Sequence, residues 1–543
     1  MTESKQFQQL GGASDWWKGA VIYQIYPRSY QDTNGDGIGD IRGIIERLDY
    51  IASLGVDAIW VSPFYKSPMK DFGYDVSDYR DVDPLFGSLA DFDELLVKAH
   101  AKGLRILIDL VLSHTSDQHP WFKESRQSAD NPKADWFVWA DANEDGTPPT
   151  NWFSIFGGSA WEWETRRRKY YLHNFLTSQP DLNFHNIEVQ DALLDMVRFW
   201  LDKGVDGFRL DTVNMYFHDK QLRNNPPIGN KRVNGVDPTN PYSRQEPKYN
   251  ITQPENLAFL ERLRQLMNEY PAVTTVGELG AVTDMYGFIA QYTEAGKRIH
   301  MAYSFDFMTP EYSAEHIRGV ISRMQERGGT GWPCWAFSNH DVARVVTRWG
   351  QGPQSGAMLV ALLTSIRGSA CLYQGEELAL PEADVAFEDL QDPFGIRFWP
   401  DYKGRDGCRT PIPWSAKQPY ADFSSVKPWL PIASDHFARA ISEQEHKEHS
   451  DLKTIRAFLH WRKSQPALLT GSLRFVDAPD TLVAWVRETE GNKVLCVFNL
   501  TAEAQEYTLP ANAQALTGHG FNSAQQGNTA QLGAYQVFFA QLN

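Results

Sequence analysis

The sequence predicts an α/β protein: a parallel (β/α)8 TIM barrel with a subdomain inserted after the third strand and an all-β domain at the C-terminal end. Three observations predict it. Eight short runs rich in β-branched residues alternate with stretches of helical period, a long aperiodic segment interrupts that alternation once, and after about residue 467 the apolar pattern changes to period two. Consecutive parallel strands need helical crossovers, and eight such units suit a closed barrel better than an open sheet.

The candidate strands, in order, are residues 20–26 (AVIYQIY), 58–62 (AIWVS), 105–111 (RILIDLV), 207–211 (GFRLD), 274–278 (TTVGE), 302–306 (AYSFD), 334–339 (CWAFSN) and 370–374 (ACLYQ). Helical spacing of apolar residues fills 41–54, 89–101, 189–201, 254–270, 312–326 and 355–366. Gly55, Gly103, Gly204 and Gly328 follow four of these stretches at the helix-stop position. Residues 113 to about 186 are rich in Trp, Asn, Asp and Pro and too long for a plain loop, so they read as the inserted subdomain. The period-two runs TLVAWVRE, KVLCVFNL and YQVFFAQL read as a β-sandwich. The expected division is therefore a barrel over 1–112 and 187–466, an insertion over 113–186 and a C-terminal β domain over 467–543.

Lys and Arg number 52 against 68 Asp and Glu, a formal charge of −16 at pH 7. Nucleic acid and anionic membrane surfaces require a basic footprint, so neither is expected as a partner. Four scattered cysteines, without CxxC or Cys/His ligand spacing, exclude a disulfide framework or zinc site and suit a reducing compartment. The N-terminal residues carry no apolar signal core, and nowhere do about 18 apolar residues run together. A soluble, cytoplasmic protein, monomeric or homodimeric, is the expectation. Aromatic residues make up 13% of the chain, with 18 Trp, which serves core packing and also offers flat faces for stacking sugars.

In a barrel of this kind functional groups stand at the C-terminal ends of the strands. The third strand ends in Asp109 with His114 beyond it, the fourth carries Arg209 and Asp211, the fifth ends in Glu278, and His340 and Asp341 follow the seventh. Acidic residues closing apolar strands are costly unless paired or used. Period two places Arg209 and Asp211 on one side of their strand, where the guanidinium holds Asp211 ionised. Glu278 has no basic neighbour in sequence, and crowding by other carboxylates raises its pKa. One charged and one protonated carboxyl is the division of labour of a retaining glycosidase.

On these residues the chain resembles the α-amylase family of glycoside hydrolases, family 13. DLVLSHTS, GFRLDTVN, VGELG and FSNHD match its motifs in order and spacing, and the resemblance runs from YQIYPRSY to the C-terminal β domain. It implies Asp211 as nucleophile, Glu278 as acid/base and Asp341 as the third carboxylate, which grips ring hydroxyls. Arg209, His114 and His340 match its nucleophile-orienting and hydroxyl-binding positions. Ser113 departs from the pattern, standing where many members have Asn, which leaves the local hydrogen bonds open.

QPDLN (179–183) resembles the oligo-1,6-glucosidase and α-glucosidase branch. By the same likeness Asp71 and Tyr74 of DFGYDVSDY hold the non-reducing glucose, Arg409 of RDGCRTPIPW partners Asp71, and Arg344 of NHDVAR lies near the third carboxylate. An Asp71–Arg409 pair closing the pocket implies exo attack on short sugars. Thr212 follows the nucleophile where α-1,6-acting relatives typically carry Val, which implies α-1,4 preference.

DTNGDGIGD (32–40) places oxygen donors at alternate positions: Asp32, Asn34, Asp36, the Ile38 carbonyl and Asp40. This is the first part of an EF-hand-like loop, but position twelve is Gly43 rather than Glu. Relatives of the branch hold Ca2+ or Mg2+ in this loop, so a structural divalent ion is expected, with no organic cofactor. The implied function is a retaining α-glucosidase releasing glucose from short α-1,4-linked glucosides, with transfer to a hydroxyl acceptor. A dedicated glucosyltransferase, a sucrose- or α-1,6-acting member and a trehalose-forming member stand as alternatives. The most distant alternative is a non-catalytic transporter-associated subunit; such subunits carry a membrane helix and lack the carboxylates.

Overall fold

The computed structural model describes residues 8–542. Eight strands, Val21–Ile25, Ala58–Val61, Arg105–Leu110, Gly207–Leu210, Thr274–Glu278, Met301–Tyr303, Trp332–Ala336 and Ser369–Tyr373, close into a parallel barrel in sequence order. The ring is sealed by the eighth strand on the first, with Val21 opposite Ala370 and Gln24 opposite Tyr373. Period two then sorts the side chains. Ile22, Trp60, Leu107, Val276, Tyr303, Cys334 and Cys371 fill the interior, while Tyr23, Ile59, Ile106, Ile108 and Phe208 face the helices. Each such fully buried large apolar side chain contributes about 1.5–3 kcal/mol of transfer free energy.

The helices follow from their patterns. Leu89–Ala101 buries Phe92, Leu95, Leu96 and Ala99, one stripe at three- and four-residue spacing. It starts in a capping box, Ser88 accepting from the Asp91 amide while Asp91 reaches back to the Ser88 backbone. Ile187–Asp202 is capped by Asn186, whose side chain accepts from Glu188 N. The stretch 41–54 is not one helix: it divides at Arg47 (φ −98°, ψ 7°) into Ile41–Glu46 and Leu48–Ser53. The Arg47 guanidinium donates to Gln31 Oε1 and stacks on Trp414, 4.0 Å from the ring centre. Gly55, Gly103 and Gly204 take positive φ, but Gly328 does not (φ −71°); Gly329 supplies the left-handed residue there. Met285–Tyr292 and Asp451–Lys463 are helices beyond those expected.

Between the third strand and Ile187 lies a three-stranded antiparallel sheet of Trp139–Ala140, Lys169–Leu172 and Trp161–Glu164, in that spatial order. Its base is pinned to the barrel mouth by the bridges His114–Asp181 and Phe137–Leu182. At the C-terminal end a five-stranded antiparallel sheet beginning at Ser472 packs with a three-stranded one around Leu482, Val497, Leu532 and Phe538. Fully buried Arg487 ties this unit to the barrel by donating to the carbonyls of Ser365 and Gly471. Among the described residues no helix is long and apolar enough to cross a membrane.

Candidate active site

A cavity of about 460 Å³ opens at the C-terminal ends of the barrel strands. Asp71, Tyr74, His114, Asp211, Thr212, Glu278, His340, Asp341 and Arg405 line its polar floor. Ile155, Phe156, Phe175, Val236, Phe305, Met308, Phe394 and Phe398 line its outer wall. The ends of seven barrel strands, or the loops that follow them, and the inserted subdomain thus converge on one space, the placement expected of a site in this fold.

Arg209 organises the floor. Nη1 donates to Asp211 Oδ1 (2.6 Å) and Asp109 Oδ1 (2.9 Å), and Nη2 pairs with Glu278 Oε1 (2.6 Å). The two candidate catalytic carboxyls therefore sit on the two terminal nitrogens of one planar fork, which confines them to neighbouring positions. Tyr303 OH accepts from Arg209 Nη2 (3.0 Å) and donates to Glu278 Oε1 (3.2 Å). Asp109 also accepts from Trp60 Nε1 (3.1 Å) and Tyr74 OH (2.9 Å), so its carboxylate fixes both the arginine and the aromatic floor.

Burial acts on both Asp211 and Glu278 in the same direction. Burial raises Asp211 to about 7, with Arg209 opposing. Burial likewise raises Glu278 to about 7, again opposed by Arg209 and reinforced by Asp211 and Asp341. The guanidinium serves both groups because barrel closure brings its second nitrogen to the fifth strand, a contact invisible in the linear sequence. Two crowded acids of this kind titrate as a pair rather than singly. Asp341 behaves differently: burial alone would raise it, but His340, Arg405 and Arg409 outweigh that and hold it well below the carboxylate range. His340 is itself kept neutral by burial, so the two arginines carry this effect.

A hydrogen-bonded row runs along the cavity wall. Burial lowers His114 to about 4, leaving one ring proton, which Nε2 donates to Tyr74 O (2.9 Å). Nδ1 then accepts from Ser113 Oγ (2.9 Å), and Ser113 Oγ accepts in turn from Thr212 Oγ1 (3.1 Å). The Ser that replaces the common Asn thus orients His114. Thr212 takes φ +40°, a strained state for a β-branched residue, and its amide donates to Glu278 Oε2 (3.2 Å). Tyr74 stacks on His340, centroids 5.2 Å apart and planes within 4°.

Two arginines are placed differently from expectation. Arg409 does not pair with Asp71; it donates to His340 O (2.6 Å) and Asp341 Oδ1 (2.9 Å). Asp71 pairs with Arg405, whose Nη2 reaches Asp71 Oδ1 at 2.9 Å, while Gln179 Nε2 donates to Asp71 Oδ2 at 3.0 Å. The turn Asp406–Cys408 brings both arginines to one side, but only Arg405 projects past Asp341 to Asp71. Arg344 is not at the third carboxylate: its fully buried guanidinium donates to the carbonyls of Gln374 and Cys408 behind the site. Arg405, Tyr303 and Gln179 join the site beyond the residues singled out from sequence. The signal for Arg405 and Gln179 was present in RDGCRTPIPW and QPDLN, whereas Tyr303 ends a strand read without regard to which side it faces.

None of the residues 32–40 lines the cavity. Gly35 and Gly37 take positive φ (78° and 87°) and let the loop wrap on itself. Asp32 accepts from the amides of Asn34, Gly35 and Gly37 (2.8–3.0 Å) and from Ser424 Oγ (2.6 Å). Asp40 accepts from Thr33 N (2.9 Å) and Gly43 N (2.7 Å), capping the first helix. The donor set, all oxygen, matches a hard divalent cation. Among the described residues no group of three His, Cys, Asp or Glu side chains is gathered as ligands.

The family description "Alpha amylase, catalytic domain" matches residues 24–471, and a C-terminal immunoglobulin-like domain description, from D-apionate lactonase, matches residues 479–540. A probable α-glucosidase of Rhizobium meliloti is 54% identical over 536 residues, covering 97% of each chain. An oligo-1,6-glucosidase of Heyndrickxia coagulans is 36% identical over 92% of this chain and 94% of its own. The crystal structure of an α-glucosyl transfer enzyme superposes with a TM-score of 0.94 at 58% identity, covering 97% of this chain and 99% of that one.

Proposed function

The chain belongs to the α-amylase family of glycoside hydrolases, and from that premise we propose that it is a retaining α-glucosidase acting on short α-1,4-linked glucosides. The observation that carries this reading is the placement of Asp211 and Glu278 on the two terminal nitrogens of Arg209. Carboxyls so confined fit the close spacing of a retaining pair rather than the wider one that admits a water between them. Asp211 attacks the anomeric carbon, Glu278 protonates the departing oxygen, and Glu278 then activates the incoming hydroxyl. Asp341, held anionic by Arg405 and Arg409, takes ring hydroxyls and supports the positive charge that develops in the transition state.

The pair Asp71–Arg405 walls the end of the cavity beyond Tyr74. A glucosyl unit entering there has no room for a further residue on its non-reducing side, which favours release of single glucose units. The apolar outer wall around Phe156, Phe175, Phe305 and Phe394 supports a second activity, transfer to a hydroxyl acceptor, because it excludes the competing water. Thr212, between Ser113 Oγ and the catalytic pair, shapes the leaving-group side and supports α-1,4 over α-1,6 cleavage, a preference of about 1–3 kcal/mol for one side chain.

A panel of maltose, isomaltose, sucrose and an aryl α-glucoside, with and without an added alcohol, tests the reading. Maltose and the aryl glucoside are expected to release glucose, initially as the α anomer by NMR, and the alcohol is expected to divert part of the flux into an α-glucoside. Initial β-glucose, or preference for isomaltose over maltose, would overturn it.

Members of this family often bind calcium. We place Ca2+ or Mg2+ in the loop 32–40, held by Asp32, Asn34, Asp36, the Ile38 carbonyl and Asp40, where its charge would tie the first barrel loop to Ser424. EDTA is expected to lower the melting temperature by about 1–2 °C, the equivalent of about 1–2 kcal/mol for a chain of this size, and Ca2+ or Mg2+ to restore it. Unchanged metal content and melting temperature would count against the ion. The four scattered cysteines, without disulfide or metal-ligand spacing, support residence in a reducing compartment, the cytoplasm.

A further inference from the structure

Residues 392–405 leave the rim of the barrel and return to it, and the excursion carries Phe394, Phe398 and Tyr402 to the outer wall of the cavity. One carboxylate closes its base. Asp392, fully buried, accepts from Arg405 N (2.8 Å) and Nε (3.1 Å) on Oδ2, and from Arg405 Nη2 (2.8 Å) on Oδ1. The same Oδ1 caps the short helix Pro393–Phe398 through Phe394 N (3.1 Å). The two ends pack backbone against backbone: a side chain on Gly395 would meet Lys403 O at 2.6 Å.

Arg405 meanwhile serves the sugar pocket. Its remaining contacts go to Asp71 (2.9 Å) and Asp341 (3.2 Å), and its guanidinium lies 5.0 Å from the centre of Phe156, which stacks on Phe394. Three carboxylates thus surround one fork. Asp71 and Asp341 face the cavity; Asp392 does not line it. Burial would raise Asp392, but Arg405 outweighs that and holds it at about 2, so it stays charged throughout the working pH range.

We propose that Asp392 is a positioning residue that couples the glucose pocket to the acceptor wall, its carboxylate setting both the orientation of Arg405 and, through the shared Oδ1, the seat of Phe394. The inference rests on the α-glucosidase reading. Its consequence is that the two halves of the site respond together to one residue that touches neither sugar nor acceptor.

The test uses the full-length enzyme with Asp392→Asn, which retains the helix cap but not the charge, and Asp392→Ser, which caps without reaching Arg405. Inhibition by glucose reads the sugar pocket, the fraction of flux transferred to a short-chain alcohol reads the wall, and melting temperature reads the fold. Both variants are expected to weaken glucose inhibition about tenfold, the equivalent of 1.4 kcal/mol, and to lower the transferred fraction at least about threefold. Phe394→Ala is expected to lower the transferred fraction alone. The proposal is overturned if glucose inhibition and partition in the Asp392 variants match the wild type, if only one of the two moves, or if both variants fail to fold. A wild type that releases no glucose from any panel substrate would instead sink the functional reading, before any variant is compared.

Discussion

Asp211→Ala is expected to abolish glucose release from maltose, a loss on the order of 10^6-fold by analogy with removal of other covalent nucleophiles. The variant keeps the cavity, because Arg209 retains Asp109 and Glu278 as partners and the fork stays in place. What is lost is the attacking oxygen beneath the anomeric carbon. The space it vacates, beside the cationic fork of Arg209, suits a small anion. Added azide is therefore expected to restore turnover of an aryl α-glucoside whose leaving group needs little protonation, and to form a β-glucosyl azide. The configuration of that product is the decisive reading, because attack from the side of residue 211 inverts the centre once and no second displacement follows. Substantial maltose hydrolysis in the purified variant, or an α-configured azide, would remove Asp211 from the nucleophile's role.

The barrel was legible because buried parallel strands are written as local runs. The first strand was expected at 20–26 and lies at Val21–Ile25; the fifth was expected and found at 274–278. The sixth was displaced toward the N-terminus, to Met301–Tyr303, because Ser304 and Asp306 hydrogen-bond each other after the strand has ended. The candidate catalytic carboxyls were legible for the same reason: each ends or follows a strand. What failed was partner assignment over long sequence distances. Arg405 and Arg409 lie four positions apart in one motif, and spacing alone does not say which reaches a residue more than 330 positions away; the buried Asp392 decides it. Arg344 follows Asp341 by three residues but begins the helix Val345–Arg348, which turns its side chain behind the site. The electrostatics of the pair also depend on a contact distant in sequence. Sequence places Arg209 beside Asp211 only, and closure of the ring gives Glu278 an equal share of it.

That equal share decides what Glu278→Gln should do. Burial raises both carboxyls to about 7, and the active distribution requires Asp211 charged and the proton on Glu278. Activity on maltose should fall on the acid side as Asp211 gains a proton and on the alkaline side as Glu278 loses its own, giving a bell in kcat/KM. With Gln at 278 the alkaline limb has no group to lose its proton. Maltose, whose leaving sugar must be protonated, is expected to react about 10^3–10^4-fold more slowly, the upper part of the range for general acid catalysis. An aryl α-glucoside with an acidic phenol needs no such help, so its kcat/KM should fall far less and keep its acid limb while the alkaline one disappears. Its glucosyl-enzyme should then accumulate, because the base that activates water is also gone, and appear as a burst of phenol followed by slow turnover. Stopped-flow kinetics across pH 5–9 would read all three features. An alkaline limb that survives unchanged in the variant would mean that the proton controlling it resides on some group other than Glu278.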